Sequence, residues 1–182
     1  ADKRTILNNI NLNIEKGDTI AVIGPSGSGK STLFKQLNNL ISPTEGELYL
    51  DGKNYNDYSP EELRSRVSYL MQQSGLIGST IEHNMKFPCE ARGDKFDRKK
   101  AKQLIKQVGL GDYDLDAEIE HMSGGERQRI TIARQLMYEP EVLLLDESTS
   151  ALDTKNKENI ENIIFDLAKK GVAILWITHS DD

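Results

Sequence analysis

The 182-residue chain lacks several features that would define a class of protein by themselves. Its single cysteine, Cys89, stands in a Phe-Pro-Cys-Glu setting typical of a loop; it excludes an intrachain disulfide and suits a reducing cytosol. No apolar run approaches the roughly 20 residues of a membrane-spanning helix, so we expect no direct membrane insertion. No targeting segment is visible after Ala1.

Positive charge is not in excess either. The 23 Lys and Arg residues against 29 Asp and Glu residues leave a net charge of −6. Nucleic acids and anionic lipids attract basic surfaces, so this balance argues against a nucleic-acid partner and against direct docking on lipid. Repeats, low-complexity segments and interdomain linkers are also missing, and the length of 182 residues predicts one large domain or a core with an inserted lobe.

Residues 24–32 carry the clearest positive signal. They fit the pattern G-x-x-x-x-G-K-[ST], in which glycines let consecutive backbone N–H groups turn inward around anionic oxygens. Lys30 would reach the terminal phosphates of a nucleotide, and Ser31 would offer a hydroxyl to Mg²⁺. The predicted cradle consists of Gly24, Pro25, Ser26, Gly27, Ser28, Gly29, Lys30, Ser31 and Thr32.

The flanking sequence favours a phosphate cradle over a flexible Gly/Ser loop. Residues 19–23 read as a buried strand, and residues 30–40 as a helix whose positive end points at the same anion. Before them, four apolar residues separated by polar ones precede a Gly-Asp turn and predict a hairpin that feeds the loop. These residues are Ile6, Ile10, Leu12 and Ile14.

Further along, residues 47–52 predict a strand that ends in an Asp-Gly turn. Ser59 predicts a helix cap, with Pro60 first in the helix and Glu62 completing a capping box. A strand over residues 67–71 then delivers Gln72 and Gln73.

Residues 73–121 show no clear strand and include a basic helix whose apolar positions keep helical spacing. We predict a helical subdomain over residues 73–136, inserted in an α/β core of residues 1–72 and 137–182 within one domain. The apolar runs 142–145 and 172–177, with an amphipathic helix between them closed by Gly171, predict a mainly parallel sheet covered on both faces. The expected fold class is α/β with an N-terminal antiparallel part.

Two adjacent acids follow the apolar run 142–145. Active sites of parallel sheets collect at the carboxyl ends of strands. Asp146 is suited to hold Mg²⁺, and Glu147 to polarise a water for attack on a γ-phosphate. The alternative is an exposed strand end with solvated acids, which a phosphate cradle on the same sheet disfavours. His179 ends the last strand on the same edge, although a lone histidine is more often structural or solvated.

A second glycine motif begins at Ser123. Ser123 can cap a helix and Glu126 can complete its capping box, which is the simpler interpretation. Yet Gly124 and Gly125 in the first turn cost roughly 1 kcal/mol each against alanine. Their bare N–H groups at a helix start would form a second anion site.

In this order the motifs resemble those of the nucleotide-binding domain of ABC ATPases, over essentially the whole chain. The matching features are the Walker A loop, the Q-loop glutamine, the signature, the Walker B strand with its catalytic glutamate, the D-loop and the switch histidine. They correspond to 24–32, Gln72, 122–126, 142–147, 150–153 and His179.

The sequence departs from the family pattern at three positions. Met122 replaces the usual leucine and Glu126 the usual glutamine, both mild changes. Ser148 replaces a proline and loosens the turn that sets the pose of Glu147. The adenine-stacking aromatic of the family is expected at or before Ala1, and the family continues beyond His179, so we expect a chain trimmed at both ends.

The resemblance implies an ATP hydrolase that uses ATP and Mg²⁺. Catalytic roles would fall on Glu147, His179, Lys30 and Gln72, and Mg²⁺ would be held by Ser31, Gln72 and Asp146. A second copy would contribute the residues that close over the nucleotide, giving an ATP-dependent homodimer. These residues are Ser123, Gly124, Gly125, Glu126 and Asp153.

The resemblance also implies a separate transmembrane permease and a peripheral place on the cytoplasmic face of the cell membrane. The motif wording is most similar to the YbbL/FetA group of short ATPases, which is associated with metal, particularly iron, export. The cargo itself is not encoded here, because the membrane subunit selects it.

Three other classes fit less well. A GTPase is disfavoured because the sequence contains no Asn-Lys-x-Asp guanine motif. A small-molecule kinase would need neither the signature helix nor Glu147. The alternative is a non-transport ABC ATPase that acts as a nucleotide-driven switch. Repair and chromosome machines of that kind place coiled-coil arms between the glycine motifs, whereas here roughly 90 positions without a heptad run separate them.

Overall fold

The computed structural model describes residues 5–25, 27–70, 75–146 and 154–178. These residues fall into two compact units. The first contains 5–70 without Ser26, 140–146 and 168–178, and the second contains 75–139 and 154–167. The boundaries of the helical subdomain inferred above stay a prediction.

A four-stranded parallel sheet forms the centre of the first unit, and the predicted α/β fold class is confirmed. In spatial order its strands are β1 (Thr19–Ile23), β6 (Ala173–Thr178), β5 (Val142–Asp146) and β4 (Val67–Leu70). Leu143 and Leu144, on opposite faces of β5, are both 0% exposed. Both faces of that strand are therefore covered, as its continuous apolar run predicts.

Two helices of the first unit pack on one face of this sheet. Phe34 of α1 (Lys30–Leu37) and Leu63 of α2 (Pro60–Arg66) join a core cluster that also contains residues of β4, β5 and β6. Ser59 caps α2 by accepting the N–H of Glu62 at 3.2 Å, as predicted. The prediction that Glu62 completes a capping box is wrong, because its carboxylate instead lies 3.7 Å from the Arg66 guanidinium.

The hairpin predicted before the phosphate loop is also wrong. Residues 5–18 contain no strand, and Ile6, Ile10 and Leu12 are about half exposed. A segment with alternating apolar residues forms a strand only where a neighbouring strand supplies hydrogen bonds. The strand that pairs with β1 is β6 and not the segment before the loop. The antiparallel part of the fold is β2 (Tyr49–Leu50) with β3 (Lys53–Asn54), around the predicted Asp-Gly turn.

Helices make up the regular structure described between residues 75 and 139. They are α3 (Ile81–Arg92), α4 (Arg98–Gln107) and α5 (Gly124–Gln135). Cys89 lies within α3 and is 3% exposed, so the loop suggested by its neighbours is wrong. Helix α3 continues through Pro88, although proline cannot donate a backbone hydrogen bond. Met85 and Cys89 of the same helix are buried.

Helix α6 (Thr154–Lys169) connects β5 to β6 along the chain. Its predicted apolar face is buried, and it ends before Gly171, whose φ of +96° lies in the left-handed region. The buried residues of this face are Ile160, Ile163, Ile164 and Leu167.

Candidate nucleotide-binding site

The phosphate loop lies between the end of β1 and the start of α1, as the sequence predicts. Helix α1 begins at Lys30, and the preceding Gly29 has a φ of +96°, which favours glycine. Within the described part of the loop, no side chain caps this helix start. The first N–H groups of α1 are therefore available to an anion, and the helix dipole favours a negative charge there.

Two glycines of the loop have close neighbours at the place where a Cβ would stand. A Cβ on Gly24 would lie 2.9 Å from Ser28 Oγ, and one on Gly29 would lie 2.9 Å from Leu7 Cδ2. A Cβ on Gly27, in contrast, would meet nothing within 4 Å. The contact of Leu7 with the loop was not predicted, since alternation suggested only a strand.

The ammonium group of Lys30 folds back over the loop that precedes it. Nζ donates hydrogen bonds to the carbonyl oxygens of Gly24 and Pro25, the latter at 2.9 Å, and to Ser28 Oγ at 3.3 Å. Phosphate oxygens are stronger acceptors for a full positive charge than neutral carbonyl groups. Lys30 is thus held at the loop by bonds that it can exchange for bonds to phosphate.

Asp146, at the carboxyl end of β5, contacts the start of α1. Ser31 Oγ donates to Asp146 Oδ2 at 3.3 Å, and Tyr69 Oη donates to the same oxygen at 3.4 Å. Asp146 is only 6% exposed. Burial, followed by the charge of Asp146, raises the pKa of Tyr69 to about 12, so its hydroxyl remains a donor at neutral pH.

Tyr69 is the residue of this cluster that the sequence analysis missed. In the sheet it lies opposite Leu144, two positions before Asp146 on the same face of β5. Alternation would have placed it beside Asp146 if the pairing of β4 with β5 had been known. That pairing joins segments far apart in the chain, and no local pattern encodes it.

The second glycine motif forms the start of α5 in the other unit. Ser123 Oγ accepts the N–H of Glu126 at 3.2 Å, and Glu126 Oε1 accepts the N–H of Ser123 at 3.1 Å. The predicted capping box is confirmed. A hydrogen bond from Tyr113 is the main cause that lowers the pKa of Glu126, and the bond from the Ser123 backbone is the next.

Packing within the chain does not require glycine at the start of α5. A Cβ on Gly124 or on Gly125 would meet nothing within 4 Å, and neither residue has a positive φ. Alanine would fit there and would stabilise the helix by roughly 1 kcal/mol. Among the described residues, packing therefore gives no reason for glycine at these two positions.

Some predicted site residues lie outside the described ranges. They are Ser26, Gln72, Glu147, Asp153 and His179. Of the others, the loop residues and Asp146 come together in the first unit, and residues 123–126 stand together in the second. Their functional roles remain predictions.

The family model described as "ABC transporter" matches residues 7–150. This chain belongs to the ABC transporter family. The probable iron export ATP-binding protein FetA of Escherichia coli (strain K12) is 42% identical over 97% of this chain and 79% of its own length.

Another relative of this ABC ATP-binding subunit is named for a different transported substrate. The methionine import ATP-binding protein MetN of Staphylococcus haemolyticus (strain JCSC1435) is also 42% identical, over 95% of this chain, which spans about half (52%) of MetN. The dimeric structure of a post-hydrolysis state of the ATP-binding cassette MJ0796, bound to ADP and Pi, is 35% identical. It superimposes with a TM-score of 0.82 over 96% of this chain and 80% of its own.

The bacterial Atm1-family ABC exporter with ATP bound superimposes with a TM-score of 0.84 and is 30% identical. The alignment covers 98% of this chain and 32% of the exporter. The resemblance to an ABC ATPase and the P-loop fold inferred from the sequence are confirmed. Of the helices in the described part of this chain, none has the length and apolar character to cross a bilayer.

ABC ATPases bind ATP together with Mg²⁺, and the residues of the first unit fit both. The glycine backbone and the uncapped helix start suit a phosphate chain. The hydroxyl of Ser31 and the carboxylate of Asp146 are hard oxygen donors of the kind that Mg²⁺ prefers.

Proposed function

We propose that this ABC transporter subunit hydrolyses ATP at the phosphate loop and uses the reaction to power a separate transmembrane permease. The observation that carries the proposal is the contact between Ser31 and Asp146 beside an uncapped helix start that holds Lys30. It brings two motifs more than 100 positions apart in the sequence into one cluster with the chemistry of a nucleotide site.

Each residue has a defined task in this proposal. The loop backbone binds the phosphates, and Lys30 exchanges its carbonyl partners for phosphate oxygens. Ser31 and Asp146, together with Gln72, hold Mg²⁺, which when bound neutralises charge that develops on the phosphates. Glu147 polarises the attacking water and His179 steadies the γ-phosphate, two roles that rest on the sequence motifs.

The start of α5 serves a second copy of the chain in the proposed cycle. No neighbour among the described residues requires glycine there, which supports contact with a nucleotide bound elsewhere. ATP between two copies would contact both only when they close, so its binding energy would drive a head-to-tail dimer. Asp153 would lie at the same interface, and the dimeric cassette named above is a precedent among related structures.

For the cargo, we propose a metal ion, with iron first, moved outward through a FetA-type permease partner at the cytoplasmic face of the membrane. The 42% identity to FetA supports this choice. MetN, named for methionine import, is equally identical, which supports the view that the permease sets direction and cargo. Co-purification of the full-length protein from membranes tests the partner: a multi-span subunit should come with it, and its absence would favour a switch without cargo.

The hydrolytic role is tested by Glu147→Gln. The amide is a far weaker base, so ATP binding should persist while steady-state hydrolysis is almost completely lost. Turnover within about threefold of wild type, a barrier change under roughly 1 kcal/mol, would place the general base elsewhere.

The two-copy site is tested by light scattering of Glu147→Gln at saturating ATP. The protein should be monomeric without ATP and dimeric with it, and an added Ser123→Arg should abolish the shift through steric and charge conflict. Gln103→Arg, at an exposed position of α4, is the matched control and should dimerise normally. A dimer that forms equally well with Ser123→Arg would contradict the proposed role of α5.

A further inference from the structure

A buried amide links the segment Gly75–Thr80, called here the 75–80 segment, to helix α3. Asn84 of α3 is 0% exposed. Its Nδ2 donates to the carbonyl oxygens of Ile77 and Thr80, both at 2.9 Å, and its Oδ1 accepts the N–H of Ile77 at 2.9 Å. One side chain thereby pairs with three backbone groups of this irregular segment.

The same cluster reaches helix α5 through Arg134. The guanidinium donates through one nitrogen to the carbonyl oxygen of Gly75 at 3.2 Å and to Asn84 Oδ1 at 3.1 Å. Arg134 is 9% exposed, and burial lowers its pKa. The 75–80 segment, α3 and α5 therefore share one buried hydrogen-bonded cluster, all within the second unit.

Such a cluster is an unusual way to pack helices. Burying a guanidinium carries a large desolvation cost, and well-packed apolar residues often stabilise a fold at least as well. What hydrogen bonds add is fixed geometry, because each donor must stay in line with its acceptor. Arg134 and Asn84 hold particular carbonyl groups of the 75–80 segment at a set position relative to α5.

Helix α5 extends from this cluster to the signature. Ser123 and Arg134 lie about 16 Å apart along the axis, at a rise of roughly 1.5 Å per residue. The helix is capped at Ser123 and uninterrupted as far as Gln135, so a displacement at one end is transmitted to the other. A second connection supports the segment near the signature end, since the N–H of Ile119 donates to Ser79 O at 2.9 Å.

We propose that Arg134 and Asn84 are positioning residues that make the 75–80 segment move with the signature helix. When the Ser123 end contacts ATP held by a second copy, the 75–80 segment moves together with the helix. In the chain this segment begins three positions after the Q-loop glutamine, Gln72. This inference rests on the proposed function of α5, and the experiment separates the two.

Amide hydrogen exchange on the full-length Glu147→Gln protein, with and without saturating ATP, tests the coupling. In this parent, ATP should slow exchange in the phosphate loop, in residues 123–127 and in the 75–80 segment. With Arg134→Met the first two responses should remain. The 75–80 segment should exchange at least roughly fivefold faster, as loss of one net hydrogen bond implies, and no longer respond to ATP.

Two further variants sharpen the result. Lys102→Met removes a positive charge from an exposed position of α4 and should behave like the parent. Arg134→Lys keeps the charge but not the planar guanidinium, so the response of the 75–80 segment should fall by at least about half. That variant carries the test if Arg134→Met does not fold, and an unchanged response in it would overturn the inference.

Each remaining outcome has a definite meaning. An ATP response of the 75–80 segment that survives Arg134→Met overturns the coupling. A parent that responds at 123–127 but not at the 75–80 segment overturns it too, and leaves the proposed function intact. A parent that responds only in the phosphate loop contradicts the two-copy site, and the coupling falls with it.

Discussion

The helices α1 and α5 both start at glycine-rich motifs, yet their first turns are satisfied in opposite ways. At α1 no side chain of the described residues caps the helix, Gly29 is left-handed, and the ammonium of Lys30 folds back over the loop. At α5 a complete capping box from Ser123 and Glu126 satisfies two backbone N–H groups. One helix start keeps its backbone donors uncapped, and the other is stabilised by its own residues.

This difference shows what glycine contributes at each place. In the phosphate loop, a Cβ on Gly29 would lie 2.9 Å from Leu7 at a φ of +96°, whereas the nearest atom to a Cβ on Gly24 is the rotatable hydroxyl of Ser28. At α5, Gly124 and Gly125 have open space around them. We therefore expect substitutions in the loop to damage structure and binding together, and substitutions at α5 to separate the two.

The largest effect is expected from Lys30→Ala. Removing the ammonium takes away the only lysine that the motif aims at the terminal phosphates, so ATP affinity should fall on the order of 100-fold or more. Lys35→Ala, on an exposed face of the same helix, is the control and should bind normally. Calorimetry measures both, and wild-type affinity in Lys30→Ala would contradict the phosphate site.

Gly29→Ala should follow in size. The methyl group would collide with Leu7 and would force a non-glycine residue into a positive φ, so we expect a loss of about 1–3 kcal/mol in the free energy of unfolding. Gly27→Ala has a similar φ but no neighbour within 4 Å, and should cost less. Denaturant unfolding of both variants isolates the collision, and equal losses would show that it is relieved without cost.

Gly125→Ala should stabilise the protein, whereas Gly29→Ala should destabilise it. Alanine in open space at a helix start should raise the free energy of unfolding by about 0.5–1 kcal/mol. In the Glu147→Gln background the same change should weaken ATP-dependent dimerisation, because the added methyl covers backbone meant for the nucleotide. A variant that is more stable and dimerises as readily as its parent would leave the glycine without a binding role.

The smallest effect is expected from Glu126→Gln. Hydrogen bonds from Tyr113 and Ser123 lower the pKa of Glu126, so its contribution is present above the ordinary pKa of 4.5 and is lost as pH falls through the folded value. At pH 7 the variant should lose about 0.3–1 kcal/mol in unfolding free energy. Denaturant unfolding should show that the difference in unfolding free energy between wild type and variant becomes smaller from neutral to acid pH. A difference that stays constant would exclude ionisation of Glu126 as its cause.

Local sequence rules succeeded where the relevant partners lie within one turn. The start of α1, the caps of α2 and α5 and the apolar face of α6 follow from patterns over a few residues. The same Ser-x-x-Glu pattern produced a full capping box at Ser123 but only half of one at Ser59. Glu62 has Arg66 one turn further along as a competing partner, whereas Glu126 is held by Tyr113 as well.

By itself the sequence determined the phosphate loop, the parallel α/β fold and the membership in the ABC transporter family, because these depend on spacing and on residue types in short windows. Tertiary structure decided that Tyr69 joins Asp146, that Leu7 rather than a hairpin covers Gly29, and that Arg134 and Asn84 share one buried cluster. Strand neighbours and buried hydrogen-bond partners are chosen by packing between segments distant in the chain, which no local pattern records.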